Sequence, residues 1–378
     1  MNRPPAPVPV RGGRAMGDRR PQRVAALADT VAGMGLDGVL LTSAPNIRYL
    51  TGFSGSSALA FVTARRDVLL VTDFRYKTQA ADEVGDLARL VVEGQSLWTG
   101  LWQHILSLPA VEVAGFESAH LVHRDFQRLL EAGARWQWRP TVDLVETLRE
   151  RKDADELAHI TAAAQVATRA LARTLPQVRA GLTELEVAGL LEHALRAEGS
   201  ETFPFATIVA SGPRSALPHA ATSAREMHRG DLLLLDFGAS VSGYCADITR
   251  TVVLGPPDDE QQEVYGIVRA ANEAAAGSVR PGMRGRDADA VARDYIDRRG
   301  YGDAFGHSLG HGLGLEVHEA PRLSRTADAV LAVGAVVTIE PGIYRPGWGG
   351  VRIEDDVHLG AGVADVLTQF TRELLVVD

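Results

Sequence analysis

Apolar and polar positions follow two different rhythms along the chain. Between residues 20 and 140, short apolar runs alternate with stretches of helical spacing. The segments DGVLLTS (37–43), ALAFVT (58–63), DVLLVT (67–72) and VEVAGF (111–116) are short and aliphatic, and Gly, Asp or Pro bounds them. That pattern predicts strands. Leu121, Phe126, Leu129 and Leu130 recur at helical spacing, which predicts a helix over 120–132. The alternation describes an α/β domain.

Beyond LRERKDADELAHI (148–160) the rhythm changes. Asp153 followed by Glu156 is a helix-start pattern, and the helix it opens runs toward Leu175, ahead of Pro176 and Gly181. Further helices are expected over 183–199, 258–277 and 285–299. Between and after them come TFPFATIVAS, DLLLLDFGAS, ADITRTVVLG, AVVTIEPGIY and GGVRIEDDVHLG. These strands cluster in hairpins, not in βαβ units, which is α+β grammar with an antiparallel sheet. We therefore expect domains over 20–147 and 148–378. Residues 1–19, rich in Pro and Arg, are expected to be a disordered tail. They hold no apolar stretch long enough for a signal peptide.

Charge and cysteine content narrow the function classes. A formal net charge of −9 disfavours a nucleic-acid surface or an acidic membrane as partner. The late apolar run over 329–339 is too short to span a bilayer. Cys245 is the only cysteine, so no intrachain disulfide forms, which fits a cytoplasmic protein. A lone Cys245 among apolar neighbours is expected to pack as a small buried side chain.

Four acids sit where strands should not want them. Asp236 follows four leucines, Asp247 lies in YCADITRTVV, Glu340 ends AVVTIE and Glu354 lies in GGVRIEDD. A buried, unpaired carboxylate costs several kcal/mol or takes up a proton. Three readings compete: exposure on an edge, pairing with arginines such as Arg250 or Arg352, or shared metal ions. Two divalent cations would neutralise the four carboxylates. Oxygen ligands with one imidazole suit Mn, Co, Zn or Fe. Hairpins can present acids in pairs, because adjacent strands lie about 4.8 Å apart. Asp236 and Asp247 would flank a turn at Ser242-Gly243, and Glu340 and Glu354 would flank PGIYRPGWGG.

The stretch GHSLGHGLGLEVHEAP (306–321) adds His307, His311 and His318 in a glycine-rich setting, and His219 lies upstream in RSALPHA. Glycines let backbone pack closely and bring side chains to one point. One imidazole could complete a metal shell, and others could bind substrate.

Asp236, Asp247, His311, Glu340 and Glu354, together with GHGLGLEVHEAP and TIEPGIY, resemble the pattern of the pita-bread metallopeptidases. The first 145 residues resemble the creatinase-type N-terminal domain of that family's proline-specific branch, with TGFSGSSALAFVT and LLVTDFRY similar to short bacterial aminopeptidase P-like proteins. The resemblance implies a C-terminal pita-bread (creatinase/aminopeptidase) fold behind a smaller α/β creatinase-type domain. It implies two divalent metals per subunit, manganese foremost, held by those five residues, with Asp247 and Glu354 bridging. It implies hydrolysis of the Xaa-Pro bond of dipeptides or short peptides by a hydroxide between the metals. Glu340 would act as general acid/base, with His219 and His318 at the substrate or oxyanion. His307, Arg352 and Tyr344 would line the proline pocket. A homodimer is implied as well. Dipeptidase and aminopeptidase P types stay undivided at this level. The rivals are a metal-free creatinase-like hydrolase and a non-catalytic pita-bread binding protein.

Overall fold

A computed structural model describes residues 17–108, 111–362 and 364–378. The expected N-terminal tail lies, up to residue 16, outside the described residues. The chain divides into two units, the first ending at Leu144 and the second spanning Val145–Asp378.

The first unit is built on a six-stranded sheet. Its strands are β1 (Gly38–Leu41), β2 (Ala58–Thr63), β3 (Val68–Asp73), β4 (Arg89–Glu93), β5 (Val113–Glu117) and β6 (Gln137–Thr141), in the order β4-β3-β2-β1-β5-β6. β1, β2 and β3 pair antiparallel, while β4, β5 and β6 join in parallel. Leu40, Phe61, Leu69 and Val71 pack under Trp98, Leu101 and Trp136 to form its core. The sequence reading found β1, β2, β3 and β5 but not β4 or β6. Those two are the sheet edges, partly wet, and β6 carries Arg139 and Pro140. Edge strands tolerate charge and proline, so they lack the apolar run that marks an inner strand.

Among the described residues, four long helices frame the second unit: Ala154–Thr174, Glu184–Glu198, Asp259–Ser278 and Gly285–Asp297. Three begin with reciprocal caps, at Asp153 with Glu156, Thr183 with Glu186, and Asp258 with Gln261. Each such cap satisfies backbone N–H groups that the first turn leaves without a partner. β7 (Ile208–Ser211), β8 (Leu232–Val241) and β9 (Tyr244–Leu254) form one sheet. Of TFPFATIVAS, only the last four residues are strand. A second sheet holds β10 (Gly310–Gly312), β11 (Glu319–Leu323), β12 (Val336–Ile339), β15 (Asp355–His358) and β16 (Asp365–Val366). β13 (Gly342–Arg345) and β14 (Gly349–Arg352) make a separate ribbon, and β17 (Val376–Val377) adds in parallel to β9. Val166, Leu171, Leu191 and Leu195 of the first helix pair pack on Leu233, Leu235, Phe237 and Ile248. Val264, Ile267, Ala271 and Ile296 of the second pair pack on Val337, Ile339, Val351 and Ile353. Among the described residues no helix is long and apolar enough to cross a membrane.

β8 and β9 form one continuous hairpin from Leu232↔Val253 to Val241↔Tyr244. Its tip, Ser242-Gly243, has φ +50 and +76, the backbone of a two-residue turn whose twist matches the strands. The segment over 335–359, expected to be one hairpin, is instead two. β12 pairs with β15 and β13 with β14, and Glu340–Pro341 and Ile353–Glu354 fall between the two registers. Pro341 has no N–H to give to a ladder, which breaks the run beside Glu340.

Candidate metal centre

The continuous hairpin and the broken one bring their acids to one place. Asp236 on β8 pairs across with Thr249, and Asp247 on β9 pairs with Gly238. At the break in the other arm, the Glu340 N–H donates to Leu309 O (2.8 Å) and the Glu354 N–H donates to Thr249 O (3.1 Å). The backbone of each glutamate is therefore pinned by a neighbouring segment rather than by its own ladder. Close packing of β10 adds the imidazole. A Cβ on Gly310 would strike the Thr338 carbonyl, and one on Gly312 the Ala320 carbonyl. Only glycine allows β10 to lie that near, and His311 between them reaches the acids. Its Nε2 lies 3.4 Å from Glu340 Oε1 and 3.9 Å from Asp247 Oδ2. Asp247, His311 and Glu354 each offer a ligand atom, all within 4.8 Å of one another.

The cluster carries more negative than positive charge: against its four carboxyls the described residues set Arg352, paired with Asp236. Burial, then Glu354 and Asp236, push the Asp247 carboxyl well above its ordinary range. Burial, then Glu340 and Asp236, do the same to Glu354. Glu340 is pushed up to about 8 by burial and by Asp236, against the pull of Arg352. Asp247 Oδ1 is buried with no hydrogen-bond partner. His311 Nδ1 faces Gly312 O at 3.1 Å, where it can only donate. Burial lowers that imidazole to about 4, so it is neutral near pH 7 and its Nε2 lone pair faces carboxylate oxygens. A lone pair aimed at anions, beside an orphaned carboxylate oxygen, fits a divalent cation between them.

A second group lines the centre. Arg352, 3% exposed, is in an ion pair with Asp236. Its Nε donates to Thr249 Oγ1 (3.1 Å) and its Nη1 to the Tyr344 hydroxyl (2.8 Å). The Tyr344 hydroxyl meets His307 Nε2 at 2.8 Å, and His307 Nδ1 donates to Ser308 O at 2.8 Å. The chain Arg352 to Tyr344 to His307 thus runs in one donor direction. Burial holds His307 near pKa 4 and pushes Tyr344 up to about 12. His318 is exposed, with its ring 4.4 Å from that of His311, and burial and Arg322 lower its pKa. His219 is exposed on the segment after Ala216 and close enough to influence both His307 and His318. Cys245 is buried, and burial raises its thiol to about 12.

Several contributors were not singled out from the sequence. Thr249 Oγ1 donates to Glu354 Oε2 (2.6 Å), Thr338 Oγ1 to Glu340 Oε1 (3.1 Å), and Asp356 Oδ2 accepts the Asp247 N–H (3.0 Å). Each lies two residues from a site acid on an extended segment, so period-two alternation was the available signal. Asp289 and Arg293, one helical turn apart, grip the histidine run: Asp289 Oδ1 accepts the Leu309 N–H (3.0 Å) and Arg293 donates to His307 O (2.7 Å). The glycine-rich motif ended short of that helix and gave no sign of them.

A creatinase-type domain, and a pita-bread domain whose paired hairpins carry a buried acidic centre, define the class of pita-bread metallopeptidases. The chain belongs to metallopeptidase family M24, matched over residues 158–361, and residues 23–151 match the creatinase/prolidase N-terminal domain. It is 41% identical over 343 residues to an uncharacterized peptidase, YqhT, of Bacillus subtilis, covering 91% of this chain and 96% of that one. Among solved structures, a Xaa-Pro dipeptidase from Bacillus anthracis aligns with TM-score 0.91 at 39% identity, over 95% of this chain and 100% of its own. An X-Pro aminopeptidase from Thermotoga maritima aligns with TM-score 0.87 at 39% identity, over 94% and 99%.

Proposed function

We propose that the protein is a dinuclear metallopeptidase that hydrolyses the Xaa-Pro bond at the N-terminus of dipeptides or short peptides. Asp236, Asp247, His311, Glu340 and Glu354 are the ligands in this reading. The observation that carries it is the convergence of Asp247, His311 and Glu354, with one buried Asp247 oxygen left without a hydrogen-bond partner. When bound, two divalent cations supply a water of lowered pKa and polarise the scissile carbonyl. The chain's own residues do the rest. Glu340 takes the proton of the attacking water and passes it to the proline nitrogen, which must be protonated to leave. His318 and His219 donate toward the oxyanion as it develops. His307, Tyr344 and Arg352 form one hydrogen-bonded wall against which the proline side of the substrate is held. The similarity to a Xaa-Pro dipeptidase and an X-Pro aminopeptidase supports the substrate class. The reading also takes the protein as a homodimer, as the family resemblance implies, and as cytoplasmic, as its single cysteine fits, with manganese first among Mn, Co, Zn and Fe.

Turnover of Ala-Pro by the metal-loaded protein tests this. Asp236→Ala and Glu340→Ala are each expected to reduce it at least about 1000-fold, the scale of losing a group that acts in the transition state. Retained turnover in both variants, or activity that survives chelation, rejects the proposal. Rates on Ala-Pro against Ala-Pro-Ala then assign the dipeptidase or aminopeptidase type.

A further inference from the structure

Where the acid-bearing arm changes partners, one polar side chain spans the gap. Ile339 is the last residue of the β12–β15 register, and Ile353 belongs to neither register. Each immediately precedes a site glutamate, Glu340 or Glu354. Asn272, from the helix Asp259–Ser278, donates its Nδ2 hydrogens to both carbonyls, at 2.9 Å to Ile339 O and 3.1 Å to Ile353 O. Asn272 is fully buried, and its own Oδ1 has no hydrogen-bond partner. An asparagine is a poor choice for a helix interior, and a half-satisfied buried amide is costlier still. Packing alone would be served better by leucine, which fills a similar space and brings no orphaned oxygen. What leucine lacks is the pair of donors.

We infer that Asn272 is a positioning residue of the metal centre, fixing the separation of Glu340 and Glu354 by tying together the two carbonyls that precede them. This rests on the reading of those glutamates as metal ligands. Their N–H groups are anchored separately, on Leu309 O and Thr249 O. Asn272 therefore completes the hold on both edges of the peptide plane that precedes each glutamate Cα, and it touches both glutamate-bearing segments at once. With both donors gone, two buried carbonyls turn away in search of partners, and the carboxylates they precede move with them. Small displacements of ligands matter because supporting shells set how well a site holds its metal.

The test is titration calorimetry of the metal-stripped, full-length protein with cobalt(II), alongside the visible spectrum of the bound cobalt. Each variant is measured at a temperature where it is folded. Asn272→Leu is expected to bind cobalt(II) about tenfold more weakly or worse, with a shifted visible band, since supporting-shell changes cost about 10–100-fold in metal affinity. Gln261→Leu is the comparison. Gln261 sits on the same helix and donates to Gly230 O at 2.7 Å. That variant is expected to melt earlier while binding cobalt(II) as the wild type does. Should Asn272→Leu fail to fold, Asn272→Ser, which keeps one hydroxyl donor, is expected to show the same weakening. Wild-type affinity and spectrum in the folded Asn272 variants would overturn the inference while leaving the metal centre standing. A wild-type protein that binds no cobalt(II) would overturn the metal reading, and the role of Asn272 with it.

Discussion

Glu354 and Asp355 are neighbours in the chain and are both buried, yet their surroundings drive them in opposite directions. Alternation along an extended segment points them to opposite faces. Glu354 joins Asp247, Glu340 and Asp236, and burial together with Glu340 and Asp236 raises its carboxyl. Burial acts to raise Asp355 too, but Arg250 and Arg372 overcome it, and the carboxyl lies below its ordinary range. Asp355 accepts from Arg250 Nη2 at 2.8 Å and from Arg372 Nε at 2.7 Å. Glu319 repeats the second pattern, held low by Lys152 and Arg149 in spite of burial. For Asp355 and Glu319 the fold supplies the cations itself. At the acidic centre it supplies one, Arg352, which is committed to Asp236. The shortage of positive charge around Glu354 is therefore not a consequence of burial alone, since Asp355 and Glu319 are buried and compensated.

The sharpest way to break that contrast is to neutralise one acid of each kind. Asp355→Asn leaves the buried Arg250 guanidinium and the half-buried Arg372 guanidinium short of charge, and removing one partner of a buried ion pair costs about 3–5 kcal/mol. That loss is expected with or without added metal. Asp247→Asn removes an anion from among anions. In the metal-free protein it is expected to melt no lower than the wild type. It should also forfeit the stabilisation expected of manganese(II) in the wild type, about 2.7 kcal/mol at 100 times the dissociation constant, which is read as a rise in melting temperature. Thermal melts with and without manganese(II) read both. Equal losses in the two variants, or a manganese response retained by Asp247→Asn, would erase the distinction.

Acid titration of the internally balanced cluster comes next. Glu319 Oε2 accepts from Lys152 Nζ at 2.9 Å, and its other oxygen pairs with Arg149, which Glu316 shares at 2.8 Å. Because Glu316 remains, Glu319→Gln is expected to cost about 2 kcal/mol at pH 7, the range for hydrogen bonds to charged groups. The folded carboxyl lies below its unfolded value, so its stabilisation is complete above the unfolded pKa, about 4.3. It is lost as pH falls through the lower, folded value. Melting temperatures of wild type and Glu319→Gln should therefore differ most at neutral pH and converge in acid below about pH 4. A gap that widened in acid would show that the cluster is not held by ionised Glu319.

What the sequence disclosed, and what it hid, follow the same line. Acids among leucines stood out because a charge there needs an explanation, and the structure does bring Asp236, Asp247, Glu340, Glu354 and His311 together. The run Glu354-Asp355-Asp356 was read for its first member only, since nothing local says that Arg250 and Arg372 reach the second. Pro341 did announce the broken ladder, but the apolar pattern on both sides suggested one hairpin. The inner strands and the capped helices were legible because burial and capping act over a few residues. Edge strands β4 and β6 were not, because an edge needs little apolar pattern. Thr249, Asp289, Arg293 and Asn272 act through partners from about 15 to about 105 residues away. Single polar residues of that kind look like ordinary surface until the chain is folded.

Thr249 joins the two kinds of electrostatics, and its removal is the finest probe of the contrast. Its hydroxyl donates to Glu354 Oε2, on the uncompensated side, and accepts from Arg352 Nε, on the compensated one. Its carbonyl accepts the Glu354 N–H and Arg250 Nη1 (2.9 Å), and a side-chain change leaves those bonds in place. Thr249→Val keeps the β-branched shape that suits β9 and deletes only the hydroxyl. Glu354 is then free to rotate, and Arg352 loses one of the contacts that hold it beside Asp236. We expect manganese(II) affinity and kcat/KM on Ala-Pro to fall about tenfold each, as for other losses in a supporting shell, with little change in melting temperature of the metal-free protein. If affinity and kcat/KM stay at wild-type values, the two acid-bearing arms hold the centre independently. The hydroxyl between them would then be a bystander.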